Sequence, residues 1–310
     1  MNARTLAHLA LLTVAIIYSA NYVVAKDVMP DFIGPRGFIF MRVVGATTLF
    51  FLLSVFVKSD KKIDRSDWPR IAVCGFFGVA SNQLLFFEGL NLTTPINAAV
   101  IMTSNPILVL IMSAILLREK LKPIKIIGVL LGAAGALYLI LGSGEAELIS
   151  PDVSLGNLLI LLNASSYALY LVIVKPLMIK YDALLVIKWV FTAGMVFVIP
   201  AGIGQFSKVD WSSWTPPIIA AVAFVVVFTT FVAYLFNVFA LKTLSSATVS
   251  TYIYLQPLFT TFIALFLARD VLTFRAVAAA ILIFTGVYLA GKKTNHQKPI
   301  TKNQSLKTNH

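Results

Sequence analysis

Charge is scarce in this 310-residue chain: only 12% of its residues are charged, against about 25% in average soluble proteins, and 59% are hydrophobic. That leaves too little polar surface to cover a water-exposed globule. A mean hydropathy of +0.89 makes lipid the main solvent. Cysteine is almost missing as well. The single Cys74 excludes an internal disulfide framework and any multi-cysteine zinc or iron–sulfur site, and reads as an inert thiol in an apolar helix. No stretch holds a P-loop or an intact GxGxxG after a strand, so no nucleotide-hydrolysing engine and no cofactor are expected. Histidine is equally thin, with His8 at the start of an apolar run and His296 and His310 in a polar tail. A membrane enzyme needs a nucleophile–base pair or a carboxylate cluster, and no apolar run contains one, so catalysis is not expected.

What the chain does have is apolar runs. Ten membrane spans are expected, at 6–25, 36–57, 71–90, 95–117, 123–142, 155–174, 183–204, 216–241, 246–268 and 272–290. Each is near the ~20 residues that a helix rising about 1.5 Å per residue needs to cross about 30 Å of hydrocarbon. The tenth is the weakest, because its uninterrupted apolar part runs only from Ala276 to Ala290. The net charge of +12 is explained by where the cations lie. With the N-terminus inside, nineteen of the 25 Lys and Arg fall in inner segments. Five, Lys26, Arg36, Lys208, Arg269 and Arg275, fall in outer ones, and Arg42 lies within a span. This positive-inside bias places both termini in the cytoplasm and marks a multi-pass membrane protein, not a nucleic-acid binder. The first run is longer than the 7–15 residues of a typical signal-peptide core and continues into Asn21, Tyr22 and Lys26 without a small-x-small site, so it is expected to remain as a helix.

The chain also repeats itself. A shift of 151 positions carries Pro106 onto Pro257, Arg118-Glu119 onto Arg269-Asp270, Leu121 onto Leu272 and Gly135 onto Gly286. Nearer the start, a shift of 149 carries Tyr18 onto Tyr167, Lys26 onto Lys175 and Gly45 onto Gly194. Two units are expected, residues 1–142 and 154–290, joined by an outer linker at 143–153 and followed by a disordered, Lys-, Asn- and Thr-rich cytoplasmic tail at 291–310. Each unit holds five helices. Because five is odd, the second unit enters the membrane from the opposite side, so the expected fold is all-α, ten transmembrane helices as two inverted five-helix repeats. Inverted repeats are how many secondary transporters build two states of similar energy, one open to each side.

The residues also carry a resemblance. Ile17-Tyr-Ser-Ala-Asn-Tyr-Val-Val-Ala-Lys26, Asn97-Ala-Ala-Val, Asn105-Pro106, Arg118-Glu119-Lys120-Leu121, Gly128 and Gly135 resemble the first EamA repeat of the drug/metabolite transporter superfamily. Tyr234-Leu-Phe-Asn237, Leu244-Ser-Ser-Ala-Thr-Val, Tyr254-Leu-Gln-Pro257 and Gly286 resemble the second, and the likeness covers about residues 6–290. One departure is Asp270, preceded by Arg269 where the family usually has Gly-Glu. The resemblance implies a ten-helix carrier with a central cavity, typically exporting amino acids or other small metabolites across the bacterial inner membrane. Its partners would be a small-molecule substrate and the bilayer, with no nucleic acid; monomer and homodimer stay open. The competing reading is a non-transporting receptor or assembly subunit.

Polar groups inside spans are costly against lipid and usually face other helices or water, which selects cavity candidates without the family. Tyr18, Asn21 and Tyr22, at i, i+3 and i+4, share one face of the first helix. Asn163, Tyr167 and Tyr170 repeat that stripe on the sixth, Tyr234 and Asn237 share a face of the eighth, and Tyr252 and Gln256 of the ninth. Such a wall stacks flat apolar groups and hydrogen-bonds carboxylate or amino functions; the plainer alternative is interhelical packing at about 0.6 kcal/mol per contact. Pro106 and Pro257 each follow an amide deep within a span and are candidate hinges. Gly75, Gly78, Gly128, Gly132 and Gly135 read as close-packing surfaces. Arg42 lies six residues, roughly 9 Å, from its outer end and Glu88 two residues, roughly 3 Å, from its own. Arg42 either pairs with Glu88 or helix carbonyls or anchors an anionic substrate group; Glu88 either reaches the headgroups or is a protonatable group near the exit.

The expected topology is directly testable. In right-side-out vesicles, an impermeant thiol reagent should leave cysteines placed at Lys61 or after Lys292 unlabelled and should label one at Glu145. Outside labelling at position 61 would overturn the span assignment.

Overall fold

The computed structural model describes residues 3–57, 61–117, 123–141, 151–243 and 252–291. The Arg118–Lys122 loop, most of the expected linker with Glu145, the Leu244-Ser-Ser-Ala-Thr-Val stretch and the expected disordered tail fall outside the described residues. The architecture is that of an all-α, multi-pass membrane protein. The helices are α1 (Ala3–Val28), α2 (Pro35–Phe56), α3 (Trp68–Gly75), α4 (Asn82–Leu92), α5 (Pro95–Met102), α6 (Asn105–Leu117) and α7 (Pro123–Leu141). There follow α8 (Pro151–Lys180), α9 (Ala183–Phe206), α10 (Pro216–Ala223), α11 (Ala233–Thr243), α12 (Leu255–Phe266) and α13 (Phe274–Gly291). Several begin on proline, whose fixed φ suits a first turn and whose missing N–H would have had no partner there anyway. At α5 the cap is completed by the Thr94 hydroxyl, which accepts from the Asn97 N–H at 3.2 Å.

Among the described residues, seven helical stretches are long and apolar enough to cross a bilayer: Arg4–Val28, Pro35–Phe56, Arg65–Leu92, Pro95–Leu116, Asp152–Lys180, Ala183–Phe206 and Pro216–Asn237. They match seven of the ten expected spans. The fifth, ninth and tenth spans correspond to shorter apolar helices among the described residues. Four spans are also not simple helices. A π-helical turn at Phe76–Ser81 joins α3 to α4, and another at Phe224–Val232 joins α10 to α11. The 151-residue shift carries the first onto 227–232, within the second. A turn at Thr103-Ser104 separates α5 from α6, and a 3₁₀ turn, Tyr252–Tyr254, precedes α12.

Helix packing follows the repeat. Numbered by span, second packs on seventh (α2 on α9) and fifth on tenth (α7 on α13), each helix meeting its own counterpart. Most of the remaining large contacts come in exchanged pairs, α4 with α8 matched by α1 with α11, and α6 with α8 matched by α1 with α12, whereas α3 on α9 has no equal counterpart between α10 and α2. Close approach of small residues permits these seams, because between helices in lipid dispersion and backbone contact replace the hydrophobic effect. In the α7–α13 seam a Cβ on Gly286 would lie 2.5 Å from the Gly128 carbonyl oxygen and 2.6 Å from the Gly132 nitrogen. Gly75 meets Ala193 and Gly194 of α9, and Gly78 the Tyr170 ring, so the glycine surfaces expected from the sequence are contact surfaces. Phe38, Phe50, Phe87 and Phe191 are fully buried, whereas Phe56, Phe266 and Phe274 stay exposed, as a lipid-facing surface allows.

The Gly286 contact is backbone to backbone and has no flexible side chain to yield. Gly286→Val should lower the thermal unfolding midpoint of the detergent-purified protein, at a cost of about 1–3 kcal/mol. An unchanged midpoint would mean that the α7–α13 seam does not contribute to stability.

Candidate functional site

A buried polar cluster occupies the middle of the helix bundle, where α1, α2, α4, α8 and the α10–α11 unit meet. The Tyr18 phenol lies in one neighbourhood with those of Tyr22, Tyr167 and Tyr234 and with the Arg42 guanidinium. Tyr170 belongs to the same neighbourhood, and its ring centroid lies 5.9 Å from that of Tyr167. Asn237 Nδ2 donates to the Tyr18 hydroxyl at 3.4 Å. The stripes on the first, sixth and eighth spans therefore converge. Tyr22, Asn21, Asn163, Tyr170 and Arg42 are buried, and Tyr18, Tyr167, Tyr234 and Asn237 half-buried.

Arg42 projects from α2 into this cluster. Its Nε donates to the Thr230 hydroxyl, within the second π-helical turn, and its guanidinium carbon sits 5.0 Å from the Phe87 ring centroid. It does not pair with Glu88, one of the partners considered above. Glu88 instead accepts from Arg36 Nε at 2.6 Å, at a half-exposed site near the end of the bundle. The sequence distance between Arg42 and Glu88 said nothing of Arg36, which lies six residues nearer the start of α2 and takes the carboxylate first.

The amides before the two prolines each reach the first helix of the other half. Asn105 Nδ2 donates to the Ala164 carbonyl in α8 at 3.0 Å. Gln256 Oε1 accepts from the Tyr22 hydroxyl at 3.2 Å, and its backbone carbonyl accepts from Ser19 at 3.2 Å. Pro106 and Pro257 lie in the first turns of α6 and α12, at the starts of new helices and not within continuous ones. Tyr252 is set apart from the cluster: its hydroxyl meets His8 Nδ1 at 2.8 Å, beside Ala7, Leu11 and Ala240.

Several members are only half satisfied. Asn21 Oδ1, Asn105 Oδ1, Asn163 Oδ1 and both amide atoms of Gln83 are buried without a hydrogen-bond partner. Sequence reasoning missed Gln83. It lies beside Tyr234 and one turn before Phe87 on α4, and its signal was available as an amide four residues from an aromatic inside a span.

At the end of the bundle holding the α1–α2 turn, polar contacts tie the helices together. The Lys26 ammonium donates to the carbonyls of Leu90 at 3.1 Å, Asn91 at 3.4 Å and Thr93, at the C-terminus of α4, where cations are favoured by the unsatisfied carbonyls. Thr93 in turn bonds Asn157 of α8, Asp270 accepts from the Ile96 N–H at 2.9 Å, and Arg269 pairs with Asp27 at 3.2 Å. At the opposite end Lys180 bridges Asp64 and Asp67, and its ammonium holds the Asp64 carboxyl below the usual carboxylate range. Lys175, the repeat counterpart of Lys26, is exposed.

The model of the EamA-like transporter family matches the chain twice, over residues 5–141 and 154–291. A transporter of Archaeoglobus fulgidus is 27% identical over 297 residues, 96% of this chain and all of that protein. The transporter YyaM of Bacillus subtilis is 26% identical over 300 residues, covering 96% of this chain and 97% of its own. A protein of Streptantibioticus cattleyicolor described as a "probable terminal-alkyne amino-acid exporter" is 26% identical over 134 residues, 43% of each chain. One solved crystal structure shares the fold, with a TM-score of 0.60 at 19% identity over 92% of this chain and 96% of that one.

Proposed function

The chain belongs to the EamA-like transporter family, a family of carriers and not of enzymes, and we propose that it exports small metabolites such as amino acids by alternating access through a central cavity between two inverted five-helix repeats. The observation that carries this reading is the exchanged helix packing around a buried polar cluster: most of the major contacts either join repeat counterparts or have a repeat-related twin. A bundle built that way has two arrangements of similar energy related by the pseudo-two-fold axis. The repeats are residues 1–142 and 154–290, linked by 143–153 on the outside. Both termini and the 291–310 tail are cytoplasmic, in the inner membrane.

Tyr18, Asn21, Tyr22, Arg42, Asn163, Tyr167, Tyr170, Tyr234, Asn237 and Gln256 line the cavity, with Tyr252 at its inner mouth. Pro106 and Pro257 mark hinges, because in each repeat the chain is already broken beside them, so bending there disrupts no continuous ladder. Glu88, ion-paired with Arg36, lies near the exit. With the α1–α2 turn outside, the Lys26, Asp270 and Arg269 contacts close the outer end, so the arrangement supports an outward-closed state. The amino-acid exporter among the relatives supports the substrate class and the direction.

Counterflow in proteoliposomes with a panel of radiolabelled amino acids tests the function. Asn21→Ala and Tyr22→Ala should each lower uptake about tenfold, about 1.4 kcal/mol, while the protein still inserts and folds. Normal transport by both would reduce the stripe to packing. In a Cys74→Ala background, Lys26→Ala should raise severalfold the labelling of a cysteine at Tyr18 by an impermeant reagent from outside. Unchanged labelling would remove Lys26 from the outer closure.

A further inference from the structure

Resting on the transporter reading, we propose that Arg42, held by Thr230 and Phe87 with Gln83 beside it, is a carboxylate subsite that makes the carrier accept small organic anions and refuse organic cations. Arg42 is 6% exposed, with the Tyr234 and Tyr18 phenols in its neighbourhood. Among the described residues no carboxylate pairs with it, since Glu88 is taken by Arg36. A buried cation without a counter-charge is costly, and a bound anion removes that cost.

The geometry suits a carboxylate in particular. Thr230 occupies Nε and the Phe87 ring lies under the guanidinium, so the plane is fixed while the terminal amino groups carry no hydrogen bond among the described residues. Their parallel N–H groups match two carboxylate oxygens. Gln83, 3% exposed, shares the α4 face with Phe87 and lies beside Tyr234, which also faces Arg42. Neither amide atom makes a hydrogen bond of good geometry, and the Tyr234 hydroxyl is the polar group beside them, so the amide can turn a donor to a ligand. An organic cation would bring a second positive charge into the same low-dielectric space and meet no acid there.

Three probes of one shape separate charge from shape: phenylacetate, its neutral amide and phenethylamine, added at equal concentration and ionic strength to the purified protein during thermal unfolding. Phenylacetate should raise the midpoint by several degrees and the other two should not. Arg42→Gln should abolish the shift, and Arg42→Lys should keep part of it because the charge remains without the planar fork. Should Arg42→Gln fail to fold, Gln83→Leu, which leaves the cation in place, should still weaken the apparent affinity for phenylacetate about tenfold, the loss of one hydrogen bond to a charged group. No shift with phenylacetate, an equal shift with phenethylamine, or a shift that survives Arg42→Gln or is untouched by Gln83→Leu would overturn the subsite. Liposome uptake keeps the two readings apart. Cation uptake would sink the subsite and leave the carrier, whereas phenylacetate binding with no uptake of any anion or amino acid would do the reverse.

Discussion

Hydrocarbon supplies no hydrogen-bond partners, so wherever a spanning helix is interrupted the freed backbone groups must be met from within the protein. The rest of this structure depends on how that is done. In the first π-helical turn the Phe77 carbonyl accepts from Ser166 at 2.8 Å, and just beyond it the Asn82 carbonyl accepts from Asn163 at 2.6 Å. In the second, the Val225 carbonyl accepts from Thr230 at 3.1 Å. At the Thr103-Ser104 turn both hydroxyls bond back to carbonyls, of Val100 and Ile101, each at 2.6 Å. The breaks fix where polar side chains stand, and the polar cluster grows from those positions.

This arrangement also bears on whether the cluster is packing or cavity. Asn163 spends its amide nitrogen on Asn82 and Asn105 spends its own on Ala164, so both contribute to packing. Yet the oxygen of each is buried and unmet, as is that of Asn21. Packing accounts for one end of these residues only. An interface shaped solely for adhesion would not keep several acceptors unsatisfied in one place, where each costs about 1–3 kcal/mol.

Much of this could be read from the sequence, because hydropathy, charge asymmetry and the paired Asn-Pro and Gln-Pro are composition-level signals that lipid makes strict. The stripes Tyr18-Asn21-Tyr22 and Asn163-Tyr167-Tyr170 needed only helical geometry. What could not be read is where the helix ladder gives way: Phe76–Ser81 and Phe224–Val232 contain no proline, and their apolar residues look like ordinary span. Partner choice was equally hidden. Arg42 and Glu88 are the charges that lie clearly within spans, but ion pairing follows three-dimensional proximity, and Arg36 stands nearer to Glu88. Tyr252 shares a helical phase with Gln256 only if the helix is continuous, and the 3₁₀ turn at Tyr252–Tyr254 breaks that phase.

Two lysines at equivalent positions show what the proposed symmetry does and does not require. Lys26 caps the C-terminal carbonyls of α4, whereas Lys175 is exposed. If the repeats were in one conformation, equivalent residues would have equivalent surroundings. They do not, although the helix pairs around them are exchanged faithfully. On the proposed alternating-access reading, the difference reflects which end of the carrier is closed. On the inverted reading, the arrangement that releases Lys26 brings Lys175 toward the C-terminal end of α11, the counterpart of α4. The same electrostatic contact, an ammonium on a helix C-terminus, then closes whichever end is shut. Because an exposed ammonium and a capped one differ by only about 0.3–1 kcal/mol at a helix end, the exchange is nearly neutral, as a carrier that must visit both states requires.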